Sequence, residues 1–199
     1  MENLSINKIR EAVNGKIVQG NPGKKINNVC IDSRKIKEDD LFFAIIGERF
    51  DGHSFIEEAV NKGAKALIVD RSIKAYPGVS IIRVKDTTKA LQDLAHYNRK
   101  RYNNLKVIGV TGSVGKTTTK DMLSLLLKQK YKVLKSKGNF NNHYGLPLSL
   151  LSLKGNEDIA VLEMAMSNLG EISELVGIAE PEYGIVTNVG QAHLKNLDN

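Results

Sequence analysis

The apolar positions of the chain fall into short runs, and longer stretches with helical apolar spacing separate them. Apolar runs of about four to eight residues, bounded by glycine, proline or charged residues, are typical of buried strands. This pattern predicts strands at residues 25–31, 40–46, 65–70, 79–84, 107–110, 131–134, 158–162 and 183–187.

Helices are predicted between these strands from capping residues and helix-ending residues. Ser54 and Glu57 form a capping box, which predicts a helix that ends at Gly63. Asp86 is predicted to cap a helix that runs to about residue 102. Further helices are predicted at 116–130, from about 147, and at 167–179. Strands and helices therefore alternate, which predicts an α/β fold with a small α/β N-terminal domain at 1–84 and a P-loop-type parallel α/β domain at 85–199.

The strand at 107–110 leads into the sequence T-G-S-V-G-K-T-T, and a predicted helix follows. A glycine-containing loop in this position points backbone N–H groups at one spot, where they bind phosphate. Lys116 would reach the β- and γ-phosphates of a nucleotide, and the Thr117 hydroxyl would hold Mg²⁺. The strict pattern has glycine where Val110 stands, so the alternative is a glycine-rich turn that binds nothing. The lysine, threonine and flanking elements favour a nucleotide loop made of Thr111, Gly112, Ser113, Val114, Gly115, Lys116, Thr117 and Thr118.

Polar residues follow three of the predicted strands of the second domain: Thr111, Glu163, and the segment 188–193. The carboxyl ends of parallel strands lie on one edge of a sheet, and ligands bind there. Glu163 is therefore a candidate ligand for Mg²⁺, directly or through water. His193 is either a metal or phosphate ligand or a residue that starts a helix or packs.

Composition excludes some classes of protein. Apolar residues make up 41% and charged residues 26% of the 199 residues, as in soluble globular proteins. No apolar run approaches a membrane span of about 20 residues, so no membrane insertion is expected. The start of the chain lacks the pattern of a signal peptide, and the single cysteine makes no internal disulfide, which together predict a cytoplasmic protein. The net charge of +7 fits nucleic acid or phosphorylated small molecules, and the sparse aromatic residues favour small molecules over nucleic acid.

Several segments resemble the Mur ligases, which build the peptide of bacterial cell-wall precursors. The resemblance runs along almost the whole chain. In the second domain it is carried by the loop at 111–118, by G-N-F-N-N-H-Y-G-L-P at 138–147, by E-M-A-M-S at 163–167, and by T-N-V-G-Q-A-H at 187–193. In the first domain it is carried by D-S-R at 32–34, D-L-F-F-A at 40–44 and G-E-R-F-D-G-H-S-F at 47–55. These motifs are similar to the branch that joins D-alanyl-D-alanine to UDP-N-acetylmuramoyl-tripeptide; Ala165 departs from the glycine that is usual there.

The resemblance implies an ATP-dependent amide ligase with ATP and Mg²⁺ as cofactors. Its substrates would be UDP-N-acetylmuramoyl-tripeptide and D-alanyl-D-alanine, and the reaction would pass through an acyl phosphate. Lys116, Glu163 and His193 are implied as catalytic residues, Thr117, Glu163 and His193 as metal ligands, and Asn188 as a further ATP contact. The implied substrate-binding residues are Ser33, Arg34, Gly47, Asp51, Gly52, His53, Asn139, Asn141 and Asn142.

The family has a longer central domain and a third domain, including a carbamate-modified lysine. The resemblance therefore predicts that the second domain here is truncated and that the chain alone is inactive as a ligase. A monomer is expected, although the sequence itself does not fix the oligomeric state. Two other classes stay open. An unrelated P-loop kinase or NTPase would leave residues 1–84 unexplained. A non-catalytic module that binds a UDP-linked ligand through residues 1–84 would bind that ligand equally well after Lys116→Ala.

Overall fold

The computed structural model describes residues 3–190 of the chain. These residues form two compact units, which divide between Tyr97 and Asn98. The division falls within the helix that follows Asp86, whereas the domain boundary expected from the sequence precedes that helix. No helix in the described part of the chain is both long and apolar enough to cross a membrane.

The strands of the described residues are β1 (Leu4–Ser5), β2 (Lys16–Gln19), β3 (Lys25–Ile26), β4 (Asn28–Cys30), β5 (Asp40–Phe43), β6 (Ala66–Val69), β7 (Ser80–Arg83), β8 (Lys106–Thr111), β9 (Val133–Lys135), β10 (Ile159–Glu163) and β11 (Tyr183–Val186). The helices are α1 (Ile6–Ala12), α2 (Ile56–Asn61), α3 (Thr87–Lys100), α4 (Lys116–Leu127), α5 (Gly145–Leu151) and α6 (Glu171–Ala179). Two 3₁₀ turns occupy Ser33–Lys35 and Gly52–Phe55.

The first unit is built on a five-stranded sheet in the order β2-β7-β6-β5-β4. Strands β4 to β7 are mutually parallel, and β2 pairs antiparallel at the edge. Every residue of β5 and β6 is buried, as expected for central parallel strands covered on both faces. Phe42, Leu67 and Ile81 form one core cluster with Ile56 of α2. At the start of α3, the Asp86 carboxylate accepts the N–H groups of residues 88 and 89, so the predicted cap is confirmed.

Two predictions in the first unit are wrong. Residues 25–31 are not one strand, because β3 pairs antiparallel with β1 whereas β4 pairs parallel with β5 in the other sheet. Ser54 does not cap α2. It lies inside the 3₁₀ turn at 52–55, which Asp51 caps by accepting the N–H of His53. Gly63, with a φ of 109°, follows α2 as the sequence predicts.

The second unit is built on a fully parallel four-stranded sheet in the order β11-β8-β10-β9. Val110 and Val161 in its central strands form a core with the inner face of α4, where Leu123 and Leu127 pack. The predicted α/β class with parallel sheets is confirmed. Because β8, β10 and β11 are parallel, the residues that follow them lie on one edge of the sheet.

One helix of the second unit begins later than predicted. Helix α6 starts at Glu171, and residues 167–170 form a turn in front of it. Gly170 has a φ of 89°, which interrupts the helix, and the N–H of Ser167 donates to the Glu171 carboxylate at 2.6 Å. The apolar spacing continues through this turn, which is why periodicity alone extends the helix too far.

Candidate nucleotide and substrate sites

The predicted nucleotide loop connects β8 to α4 in the second unit. Strand β8 ends at Thr111, and α4 begins at Lys116. Gly112 and Gly115 have φ values of 131° and 84°, which disfavour residues with a side chain. A Cβ atom at Gly112 would lie 2.2 Å from the Thr187 hydroxyl, so this position also needs glycine for space. The loop therefore has the backbone form that the glycine spacing predicts.

The segment after β11 holds the loop in place. The backbone carbonyl of Asn188 accepts the N–H of Ser113 at 3.1 Å, and its side-chain oxygen accepts the N–H of Val114 at 2.8 Å. The Thr187 hydroxyl donates to the Val114 carbonyl at 2.6 Å, and the N–H of Gly190 donates to the Ser113 hydroxyl at 3.0 Å. Asn188, predicted to contact ATP, thus binds the loop backbone through both its main chain and its side chain.

The Lys116 side chain folds back onto the loop that precedes it. Its Nζ donates to the carbonyl of Gly112 at 2.6 Å and lies 3.3 Å from that of Ser113. A cavity of about 190 Å³ opens beside this ammonium. The residues that line it are Thr111, Gly112, Ser113, Lys116, Met166, Ile172, Val186, Asn188, Val189 and Gly190. The ammonium and the start of α4 give the cavity a positive end, which favours an anion.

Glu163 lies directly beneath the loop. It is the last residue of β10 and pairs in register with Val110 of β8. Its side chain is buried, and its Oε2 accepts the Thr117 hydroxyl at 3.0 Å. Oε1 accepts the Asn141 amide at 2.9 Å, and Lys120 Nζ lies 3.3 Å from Oε2. The predicted meeting of Thr117 and Glu163 at the sheet edge is therefore present in the structure.

The donor set at this point fits Mg²⁺. Thr117 and Glu163 offer two hard oxygen atoms 3.0 Å apart at the phosphate end of α4. Mg²⁺ commonly takes one or two protein oxygens and completes its shell with phosphate oxygens and water. Within residues 3–190, no group of three or more His, Cys, Asp or Glu side chains is gathered as a ready-made metal site. His193, the third predicted metal ligand, lies outside the described residues.

The three asparagines of the 138–147 segment have separate positions. Asn141 contacts Glu163, and its carbonyl accepts the N–H of Ala165 at 2.8 Å. The Asn142 side chain accepts the N–H of Gly145 at 2.9 Å at the start of α5. Asn139 is exposed. The structure therefore brings only Asn141 of the three onto Glu163.

In the first unit, a cleft of about 610 Å³ contains three of the predicted substrate residues: Ser33, Arg34 and Gly52. The full lining is Ile31, Asp32, Ser33, Arg34, Phe42, Ile45, Phe50, Gly52, Phe55 and Glu58. Ser33 donates to the Glu58 carboxylate at 2.6 Å. The rings of Phe50 and Phe55 meet edge to face, with centroids 6.4 Å apart. The exposed aromatic pair was part of the sequence motif but was not predicted as site residues.

The turns beside the cleft contain the other predicted substrate residues of this unit: Gly47, Asp51 and His53. The His53 side chain is 7% exposed, and its ring nitrogens lie 2.7 Å from Asp51 Oδ1 and 3.2 Å from Asp70 Oδ1. Arg71 bridges the same two carboxylates at 3.0 Å each. A Cβ atom at Gly52 would lie 2.6 Å from the N–H nitrogen of Ile45, so the 3₁₀ turn packs directly on that backbone. The Gly47 N–H closes the preceding turn on the carbonyl of residue 50 at 2.9 Å.

Arg34 controls the charge state of Asp32 at the cleft. Its guanidinium makes a two-point contact with the carboxylate, at 2.9 and 3.0 Å, and this lowers the pKa of Asp32 to about 2. The folded-state pKa lies below the ordinary value of 3.8, so the stability from this pair is present above that value and is lost as the pH falls through about 2. Replacing Arg34 with alanine is expected to raise the pKa of Asp32 toward 3.8, as followed by carboxyl NMR.

Lys35→Ala is the matched control for Arg34→Ala. Lys35 carries the same charge but approaches Asp32 only at 3.7 Å, without a hydrogen bond. It should therefore move the pKa of Asp32 much less. Equal shifts in the two variants would show that net charge, and not the two-point contact, sets the ionisation.

Sequence reasoning missed Lys120, whose buried side chain contacts Glu163. Its signal was a lysine one helical turn after Lys116, on the same face of α4. It also missed Thr187 and Ser136; the Ser136 hydroxyl accepts the N–H of Glu163 at 3.1 Å. Thr187 opens the motif at 187–193, but its partner Val114, like the partner Glu163 of Ser136, lies far away in sequence, so these contacts could not be predicted locally.

Two family models match the chain: the Mur ligase middle domain over residues 110–199, and the catalytic domain of the Mur ligase family over residues 25–99. Among curated relatives, the UDP-N-acetylmuramoyl-tripeptide–D-alanyl-D-alanine ligase of Bacillus subtilis is 45% identical over 197 residues, which is 97% of this chain and 42% of that protein. The chain thus spans well under half of that relative's length.

Solved structures agree with the sequence comparison. MurF from Acinetobacter baumannii matches with a TM-score of 0.94 and 36% identity, over 100% of this chain and 44% of that one. The MurF ligase from Thermotoga maritima, in complex with ADP, matches with a TM-score of 0.77 and 45% identity, over 84% of this chain and 39% of that one. The resemblance expected from the motifs is confirmed. The chain therefore belongs to the Mur ligase family, within its MurF branch.

Proposed function

We propose that the protein is an ATP-dependent ligase that joins D-alanyl-D-alanine to UDP-N-acetylmuramoyl-tripeptide and forms ADP and phosphate. The observation that carries this proposal is the arrangement of Lys116, Thr117 and Glu163 at one edge of the second unit's sheet, with the Thr117 hydroxyl 3.0 Å from the Glu163 carboxylate. A lysine on the loop and a buried carboxylate behind it are what a phosphoryl-transfer site requires. The ADP complex of the Thermotoga maritima relative supports the choice of nucleotide.

The proposed reaction has two steps. A carboxylate oxygen of the peptide attacks the γ-phosphorus of ATP, which forms the acyl phosphate and releases ADP. The amine of D-alanyl-D-alanine then attacks the acyl carbon, which forms the amide and releases phosphate and the amine proton. Lys116 would stabilise the negative charge on the transferred phosphoryl group. Thr117 and Glu163 would hold Mg²⁺, which would supply positive charge to offset that of the phosphates.

We propose that the cleft of the first unit holds the UDP part of the substrate. The exposed rings of Phe50 and Phe55 offer an aromatic surface for the base. Arg34 is 80% exposed at the cleft and has donors left for a diphosphate after its contact with Asp32. Asp51, Gly52 and His53 would fix the shape of this cleft, since they pack against the ends of β5 and β6.

Further expectations belong to the same proposal. The protein would act in the cytoplasm as a monomer on small molecules, without nucleic acid and without membrane insertion, and would serve cell-wall synthesis and, through it, cell division. Asn139 and Asn142 would contact substrate or nucleotide from the exposed side of their segment. That the 199-residue chain alone has no ligase activity stays a prediction. Turnover of D-alanyl-D-alanine by this chain would contradict it.

Calorimetric titration of the chain with UDP-N-acetylmuramoyl-tripeptide and, separately, with Mg-ATP tests the proposal. Arg34→Ala is expected to weaken binding of the UDP ligand about tenfold, the loss of roughly one charge-assisted contact, and to leave Mg-ATP binding unchanged. Arg10→Ala is the matched control, because Arg10 lies on α1 of the same unit and does not line the cleft. Binding of Mg-ATP with no binding of the UDP ligand would support the nucleotide site alone and would contradict the proposed role of the first unit's cleft.

A further inference from the structure

Lys120 is a buried lysine that the proposed chemistry does not use. It lies on α4, four residues after Lys116, and its side chain is 2% exposed. Its Nζ lies 3.3 Å from Glu163 Oε2, 3.5 Å from the carbonyl of Gly138 and 3.7 Å from Asp121 Oδ1. The ammonium thus lies where α4, the end of β10 and the start of the segment 138–147 meet.

The Glu163 carboxylate needs a counter-charge because its side chain is only 3% exposed. A buried carboxylate without a cationic partner is strongly disfavoured. Thr117 and Asn141 donate neutral hydrogen bonds to it. Among residues 3–190, Lys120 is the one cationic side chain within ion-pair distance of Glu163. Lys116, by contrast, places its Nζ on the loop carbonyls.

We propose that Lys120 is a positioning residue, a fixed counter-charge that holds Glu163 beneath Thr117 and keeps the carboxylate from capturing a divalent ion before the nucleotide arrives. Lys120 neutralises Glu163, so a divalent ion that approaches without phosphate meets a pair with no net charge and is repelled by the ammonium. Phosphate oxygens then supply the negative charge that the ion requires. The two lysines of α4 thereby have different roles: Lys116 would bind the phosphates, and Lys120 compensates the charge of the Glu163 carboxylate.

The test compares Lys120→Met, which keeps much of the side-chain length and removes the charge, with Lys120→Met/Glu163→Gln, which removes both charges. Without nucleotide, Lys120→Met is expected to lower Tm by about 10 °C, because it leaves a buried carboxylate unpaired. The double variant should recover most of that loss. The control is Lys128→Met. Lys128 is exposed and directly follows α4, so its replacement should leave Tm unchanged.

Addition of Mg²⁺ alone separates the electrostatic role from simple packing. Mg²⁺ should raise the Tm of Lys120→Met by several degrees, because the ion replaces the missing counter-charge, and should leave wild type, the double variant and Lys120→Arg unchanged. Calorimetry should give a Kd for Mg²⁺ at least about tenfold lower for Lys120→Met than for wild type. A Lys120→Met protein as stable as wild type, or insensitive to Mg²⁺, would overturn the proposal.

Folding failure does not remove the test. If Lys120→Met does not fold, the double variant decides: a folded double variant supports the counter-charge, and an unfolded one overturns it in favour of packing. The part about the nucleotide rests on the proposed function. The Tm and Mg²⁺ measurements use no nucleotide. A wild-type protein that fails to bind Mg-ATP would therefore contradict the proposed function, and these measurements would still test the role of Lys120.

Discussion

Replacing Lys116 with alanine is expected to weaken Mg-ATP binding by about 100-fold and to leave the fold intact. The ammonium lies on the inner side of the nucleotide loop, within 2.6 Å of the Gly112 carbonyl. Within residues 3–190, no other lysine or arginine lines the 190 Å³ cavity beside the loop. Its loss would leave the phosphates only neutral N–H donors, which bind anions more weakly than a charged donor does. Calorimetric titration with Mg-ATP measures the effect.

The matched control for Lys116→Ala is Lys128→Ala. Lys128 carries the same charge and follows the other end of α4, where it is exposed. If net charge alone attracted the nucleotide, the two variants would lose the same affinity, and this loss would be smaller at high salt. If the loop geometry matters, only Lys116→Ala loses affinity. Circular dichroism should give both variants the Tm of wild type within a few degrees, since the Lys116 contacts are local to its own loop.

The nucleotide loop could be predicted from the sequence because its parts are neighbours in the chain. Glycine spacing sets the backbone angles, and the lysine and threonine follow on the first turn of the helix. Glu163 was within reach of prediction for a different reason. Parallel strands place their carboxyl ends on one edge, so a carboxylate that ends a buried strand lies near a loop that ends another. Both inferences need only local sequence and one rule of topology.

Roles that depend on side-chain partners from distant elements could not be predicted. His53 occurs in a motif that implies substrate binding, yet its partner Asp70 follows another strand of the sheet, and together they hold the 3₁₀ turn. Lys120 reads as a solvated helix residue until β10 places Glu163 against it. The break between β3 and β4 is similar, because the apolar run is continuous and only the pairing partners differ.

Gly112→Ala is expected to destabilise the second unit by about 3 kcal/mol and to abolish nucleotide binding. At a φ of 131° a side chain is strained, and the new Cβ would lie 2.2 Å from the Thr187 hydroxyl and 2.9 Å from the Asn188 carbonyl oxygen. Neither atom is free to yield. The hydroxyl donates to the Val114 carbonyl, and the carbonyl oxygen accepts the N–H of Ser113. Any relief of the contact therefore breaks a hydrogen bond that shapes the nucleotide loop.

Gly170→Ala separates the two costs at Gly112. Gly170 also has a left-handed φ, of 89°, but a Cβ atom there would meet nothing within 4 Å. Its replacement should cost only the backbone strain, about 1 kcal/mol, and should leave nucleotide affinity unchanged. Urea denaturation followed by circular dichroism gives both free energies. If Gly112→Ala were no more destabilising than Gly170→Ala, the close approach of the loop to the segment after β11 would not be what fixes the nucleotide loop.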